Sequence, residues 1–244
     1  MDRTTANTGV LHCVQDDDRL DMGDERAVFR QVLRQPGAPI RSNKRIALFG
    51  GTFDPIHRGH LAIATAAAEA FALDSVLIAP TGHQPLKSGA PTASFSDRLA
   101  MVSLACAEDP RFEASSIEAP RPDGTPNFTV DTLAALHGLH PTDTMFSIVG
   151  ADSFLTLPRW RSPERLLELA EWIVVSRPGI PLTEAELAPL ALAPTQRARV
   201  HLLTTVHEDI SATELRQRLH AGDPCAGLLP PAVAGYIQAH HLYR

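Results

Sequence analysis

Residues 46–49, Ile-Ala-Leu-Phe, run directly into Gly50-Gly51-Thr52-Phe53-Asp54-Pro55-Ile56-His57-Arg58-Gly59-His60-Leu61 and then into an alanine-rich stretch. This junction constrains the fold more than any other part of the chain. A short apolar run bounded by turn residues suits a strand buried on both faces. Gly50 and Gly51 let the backbone approach a ligand with no Cβ in the way. After Pro55 the pattern predicts a helix over 57–71, whose unpaired N–H groups point back at the end of the strand and attract phosphate. His57 and His60 stand three residues apart on one face of the first turn, so both imidazoles can reach the same anion. The block reads as a nucleotide triphosphate site. Imidazole also binds zinc, but no Cys or further His stands nearby at ligand spacing.

Strand and helix alternate from Lys44 onward. Strands are predicted at 46–49, 76–79, 112–116, 145–149, 172–175 and 200–204, and helices at 57–71, 94–107, 129–136, 163–169, 212–219 and 231–240. Such alternation implies crossover units and therefore an α/β fold, a Rossmann-like doubly wound parallel sheet with helices on both faces. Ligands of these sheets sit beyond the carboxyl ends of the strands, where strand order reverses. Residues 178–199 have weak periodicity and read as an irregular or helical excursion. Residues 1–43 differ from the rest, with Asp16-Asp17-Asp18, scattered arginines and little apolar periodicity. They are expected to form a poorly ordered N-terminal extension, ahead of one catalytic domain over 44–244.

Composition removes several classes. A net charge of -6 argues against broad nucleic-acid binding, so phosphate recognition has to be local. No apolar run reaches membrane-spanning length, and the alanine-rich stretch after Leu61 is interrupted by Glu69. The N-terminus lacks an apolar signal core. Cys13, Cys106 and Cys225 are widely separated, which fits a reducing cytoplasm without a disulfide framework. The three-glycine dinucleotide fingerprint and the Walker lysine loop are both missing, against a dehydrogenase and a P-loop kinase.

A second candidate clamp is Ile210-Ser211-Ala212-Thr213-Glu214-Leu215-Arg216. Taken alone, Ser211 with Glu214 is a capping box at a helix start. Together with the first block it resembles more than that. The Gly-Gly-Thr-Phe-Asp-Pro and His57-Arg58-Gly59-His60 segments resemble the signature of the nucleotidyltransferase superfamily that shares a His-x-Gly-His motif. That superfamily carries an Ile-Ser-x-Thr-x-x-Arg motif on the outer phosphates of ATP. The resemblance implies that Gly50, Gly51, Thr52, Phe53, Gly59, Ser211 and Thr213 hold ATP, while His57, His60 and Arg216 stabilise charge during transfer. A guanidinium grips phosphate bidentately, which lysine cannot. With two anion clamps and no candidate nucleophile, the reaction implied is direct attack of a substrate phosphate on the α-phosphorus, without a covalent enzyme intermediate. Mg2+ is expected, bound mainly through the ATP phosphates, and no protein metal ligand is assigned.

The middle of the chain narrows the resemblance to the bacterial nicotinate mononucleotide adenylyltransferase family, over about 45–244. Gly150-Ala151-Asp152-Ser153 is similar to the family's Gly-x-Asp-Ser segment, placing Asp152 at the nucleotide, although an N-cap is the plain alternative. Leu157-Pro158-Arg159-Trp160 resembles its Pro-x-Trp, whose indole packs near the pyridine; ordinary core is the alternative for Trp160. Asn127-Phe128-Thr129 resembles its Ser-Tyr-Thr, a helix start for the nicotinate carboxylate. The implied mononucleotide contacts are Asp54, Lys87, Phe128, Thr129 and Trp160. Leu86 stands where the family has histidine, and Phe128 where it has tyrosine. The expected substrates are ATP and nicotinate mononucleotide, with no nucleic acid or membrane partner, and a homo-oligomer is left open. The alternatives are an adenylyltransferase for nicotinamide mononucleotide or another phosphate acceptor, and a non-catalytic nucleotide-sensing module.

Overall fold

The computed structural model describes residues 43–85, 89–176, 182–204 and 210–244. The extension expected over 1–43 lies outside them apart from Asn43, and so do Leu86 and Lys87. In chain order the described elements begin β1 (Arg45–Gly51), α1 (Arg58–Ala70), β2 (Ser75–Pro80), α2 (Phe95–Cys106), β3 (Phe112–Ala114) and α3 (Thr129–Leu139). They continue with β4 (Thr144–Gly150), α4 (Ala151–Phe154), α5 (Pro163–Leu169), β5 (Glu171–Val175), α6 (Glu184–Leu187) and α7 (Pro194–Arg197). The last are β6 (Val200–Leu203), α8 (Ala212–His220) and α9 (Pro231–Ala239).

The strands form one sheet in the order β3-β2-β1-β4-β5-β6, every pair parallel. Strand alternation sorts the side chains into two cores, one on each face. From β1, Ala47 and Phe49 join one core, while Ile46 and Leu48 join the other. β4 does the same with Phe146 and Ile148 against Met145 and Val149. Helix α1 covers the first core through Leu61, Ala64 and Ala68, a helical spacing whose small side chains let the helix lie close to the sheet. On the opposite face α3 contributes Val130, Leu133 and Leu136. Strand order reverses between β1 and β4, so the chain leaves their carboxyl ends toward opposite faces and opens a crevice there.

Among the boundaries that differ from expectation, two do so for identifiable local reasons. β3 ends at Ala114 rather than 116 because, after Ser115 N donates to Ile78 O, the chain turns: Ile117 N bonds Ser115 Oγ and Ala119 N bonds Ser116 O. α3 runs on to Leu139, three residues past the predicted end, and Leu139 is exposed, so apolar periodicity could not reveal that turn. Within the excursion, 182–199 holds α6, α7 and a 3-10 turn at Ala188–Leu190.

Candidate active site

The first clamp begins where β1 ends. Phe53 takes a left-handed backbone, φ 46°, and turns its buried ring back across the strand end, edge-on to Phe49 at 5.4 Å and to His60 at 4.9 Å. A Cβ on Gly51 would lie 2.9 Å from Phe53 Cζ, so glycine is required there by the ring that crosses it. His57 is the N-cap of α1, and His60, three residues on, reaches back so that its Nδ1 accepts from His57 N at 3.3 Å. This bond sets the neutral His60 tautomer with its proton on Nε2. His60 lines the crevice.

His57 stands differently from the expectation that both imidazoles face one anion. Its ring lies behind His60, stacked at 3.6 Å with 23° between planes, and only 4% of the residue is exposed. His57 Nδ1 is, among the described residues, the buried side-chain polar atom with no hydrogen-bond partner. Burial lowers the His57 pKa from 6.5 to about 4, so this ring is neutral at physiological pH. Gly59 makes the arrangement possible, since a Cβ there would come within 3.2 Å of His57 Nδ1 and 3.5 Å of Ile210 Cβ. The start of α1 is also less open than predicted. His57 N is taken by His60, and Arg58 N donates to Leu228 O at 2.9 Å.

The second clamp meets the first. Ser211 caps α8, its Oγ accepting from Glu214 N at 3.5 Å, which is the capping reading of that pattern; the residue is exposed. One turn inside, Arg216 Nη1 donates to Asp54 O at 2.7 Å, and Nη2 contacts Thr213 Oγ1 at 3.2 Å. The guanidinium is thereby fixed 162 residues away in sequence from the loop that follows β1. Gly50 to Asp54, His60, Thr213 and Arg216 line one cleft of about 830 Å³. That volume falls in the range of small-molecule sites.

Asp54, predicted at the mononucleotide, is turned inward. It is buried, and its carboxylate accepts from Thr92 N at 2.7 Å, Ala93 N at 3.1 Å and Tyr243 Oη at 2.7 Å. With both oxygens engaged, it anchors the loop and the chain's last turn. Below it lies Arg98, 1% exposed, whose Nη1 donates to Thr52 O at 2.7 Å and Thr81 O at 3.0 Å. Burial lowers the Arg98 pKa and the nearby Asp54 charge opposes that shift. Burial raises the Tyr243 pKa further than its hydrogen bond to Asp54 does, so this hydroxyl remains a donor. The sequence reading missed Arg98 and Tyr243. A signal for the first was present: 98, 101, 102 and 105 form the buried stripe of α2, and an arginine in an apolar stripe needs partners.

Beyond Gly50 the crevice narrows into an aromatic pocket of about 140 Å³ on the β4 side. Phe128, Thr129 and Trp160 all line it, so the structure brings three predicted mononucleotide contacts together. Trp160 serves both readings offered for it. One side packs edge-on to Trp172 at 6.0 Å, the ring also lines the pocket, and Nε1 donates to Thr156 Oγ1 at 2.9 Å. Asp152 sits exposed in the first turn of α4, and it is the neighbouring Ser153 that lines the pocket. At the floor is Glu118, which the sequence reading missed. It is 4% exposed and accepts from Thr81 Oγ1 at 2.7 Å and Thr132 Oγ1 at 3.1 Å; burial raises its pKa.

A family profile described as Cytidylyltransferase-like matches residues 48–218. A curated relative from Roseiflexus sp. (strain RS-1), named "Probable nicotinate-nucleotide adenylyltransferase", is 48% identical over 203 residues, 83% of this chain and 100% of the relative. The chain belongs to the nicotinate-nucleotide adenylyltransferase family. A member of the same name from Thermus thermophilus is 44% identical over 82% of this chain and all of its own length. Among solved structures, a Plasmodium falciparum nicotinic acid mononucleotide adenylyltransferase complexed with NaAD superposes with a TM-score of 0.65 at 19% identity, covering 82% of this chain and 98% of its own. At that identity the likeness establishes the family's fold, the parallel sheet between helices predicted from alternation.

Proposed function

We propose that the protein transfers the adenylyl group of ATP to nicotinate mononucleotide, giving nicotinate adenine dinucleotide and pyrophosphate. The observation that carries this reading is the Arg216–Asp54 contact at 2.7 Å, which joins the two clamps over one cleft in a chain 48% identical to a family member. A mononucleotide phosphate oxygen attacks the α-phosphorus, the bond to the bridging oxygen breaks, and pyrophosphate leaves. The attacking phosphate is already ionised at neutral pH, so positioning and charge stabilisation supply the rate. His60 Nε2–H donates to the α-phosphate region, where charge builds up. Arg216 holds the outer phosphates with Thr213 and the backbone of α8. His57 supports His60 from behind as a neutral ring. The glycines at 50 and 51 give the nucleotide backbone-close access. The mononucleotide ring stacks in the aromatic pocket against Trp160 and Phe128, with Thr129 at the start of α3.

Among the described residues no group of three His, Cys, Asp or Glu could hold a metal ion, and both Asp54 oxygens are engaged. Magnesium is expected to come in on ATP as part of the substrate, held mainly through its phosphates. The activity is assigned to 44–244. Cys106 and Cys225 are free and buried, in keeping with a cytoplasmic location. No helix among the described residues is long and apolar enough to cross a membrane.

The test is pyrophosphate release from ATP with nicotinate mononucleotide, followed by product identification. Arg216→Ala is expected to raise the KM for ATP about thirtyfold and leave the mononucleotide KM within about twofold. Equal changes in both constants would remove Arg216 from the triphosphate.

A further inference from the structure

Arg161 lines the aromatic pocket and is linked through Asp131 to a second arginine, Arg121. The guanidinium carbon of Arg161 lies 4.7 Å over the Phe128 ring. Its Nη1 is 3.5 Å from Asp131 Oδ2, and Arg121 Nη2 reaches the same oxygen at 3.4 Å. Two guanidiniums on one carboxylate leave a surplus of positive charge. Asp131 belongs to the first turn of α3, whose N-terminus adds a partial positive charge at Thr129. Arg161 lines the pocket beside Trp160. Its contact with Asp131 is long and the side chain is half-exposed, so the five N–H donors of the guanidinium are far from used up.

We propose that Arg161 is a specificity-determining residue, making this site favour a pyridine that bears a carboxylate over one that bears a carboxamide. The proposal rests on the adenylyl-transfer reading above. The two substituents are nearly the same shape and differ by one charge. Stacking on Trp160 and Phe128 cannot separate them, because both rings present the same flat surface. A charge at the rim can. Arg161 is held for it: its guanidinium lies over the ring of Phe128, which also lines the pocket, and Asp131 pairs with it from the first turn of α3. The buried acid at the floor, Glu118, does not compete for Arg161, since Thr81 and Thr132 engage its two oxygens.

The experiment compares kcat/KM for nicotinate and nicotinamide mononucleotides, with saturating ATP, in the full chain and in Arg161→Gln and Arg161→Lys. The full chain is expected to prefer the carboxylate. Arg161→Gln should lower kcat/KM for nicotinate mononucleotide about tenfold, change nicotinamide mononucleotide less than about twofold, and leave the KM for ATP unchanged. Arg161→Lys, which keeps the charge and loses the fork, should retain more of the preference than Arg161→Gln. A full chain without preference, or an Arg161→Gln variant that loses the same factor on both mononucleotides, overturns the proposal. Failure of the underlying reading looks different, because the full chain would then turn over neither mononucleotide.

Discussion

The phosphate side of the crevice and its aromatic side are built by different means. On the phosphate side, the loop after β1 is held by distant segments: Asp54 meets Thr92 and Ala93 before α2 and Tyr243 at the chain's end, Arg98 of α2 bonds Thr52, and Arg216 of α8 bonds Asp54. On the aromatic side more of the supports are local. Trp160 bonds Thr156, Thr156 bonds Ser153, and Glu118 accepts from Thr132 fourteen residues on as well as from Thr81 in the chain after β2. On the reading proposed above, the difference follows from what each side would hold. A triphosphate needs fixed donors and a buried cation beneath the loop, and buried charge is tolerated only where several chain segments supply partners. A flat ring needs apolar surface, which a short stretch of chain can present.

The contrast between the two sides is most vulnerable at Asp54. Asp54→Ala would leave Thr92 N, Ala93 N and the Tyr243 hydroxyl without their acceptor above a buried guanidinium, and should cost about 4 kcal/mol in urea unfolding. A loss below about 1 kcal/mol would show that the phosphate side does not depend on this anchor. Acid tests the same side through His57. The unfolded imidazole titrates near 6.5 and the folded one at about 4, so between those values only the unfolded chain takes up the proton. The His57 contribution is therefore complete above pH 6.5 and is lost as pH falls toward 4, by about 3 kcal/mol in total. Stability measured against pH for the wild type and His57→Asn should diverge in that window, and parallel curves would mean the ring is not buried neutral.

His60→Ala should lower kcat about a hundredfold, because His60 faces the cleft, and should lower the melting temperature as well, because it removes the acceptor of His57 N and the ring stacked on His57. Undiminished turnover in that variant rules out its place at the reacting phosphate. The smallest effect is expected across the crevice. Trp160→Ala should raise the KM for the mononucleotide about tenfold and leave that for ATP within about twofold. An equal rise in both would show that the two sides are mechanically coupled.

Much of the crevice was readable before any fold was known. The six strands fall within two or three residues of their predicted spans, because buried parallel strands are short apolar runs between turn residues, and several helix starts carried a cap or a proline. Three of the five predicted mononucleotide contacts line one pocket; Lys87 lies outside the described residues and Asp54 turns inward. Glu118 was invisible because nothing in its local pattern distinguishes a buried carboxylate from a solvated one. Tyr243 was invisible for another reason: its partner is 189 residues away.

Periodicity, turn residues and the two phosphate motifs are local properties; they suffice to dictate an α/β sheet and to point to the crevice at the ends of its strands as the phosphate site proposed above. Contacts between distant segments then fixed which imidazole faces that crevice, held Arg216 on the Asp54 carbonyl, and turned the Asp54 carboxylate to the scaffold. These outcomes depend on which segments must meet to satisfy buried charge and hydrogen-bonding groups, and sheet order, unlike periodicity, is not written within any one window of the chain.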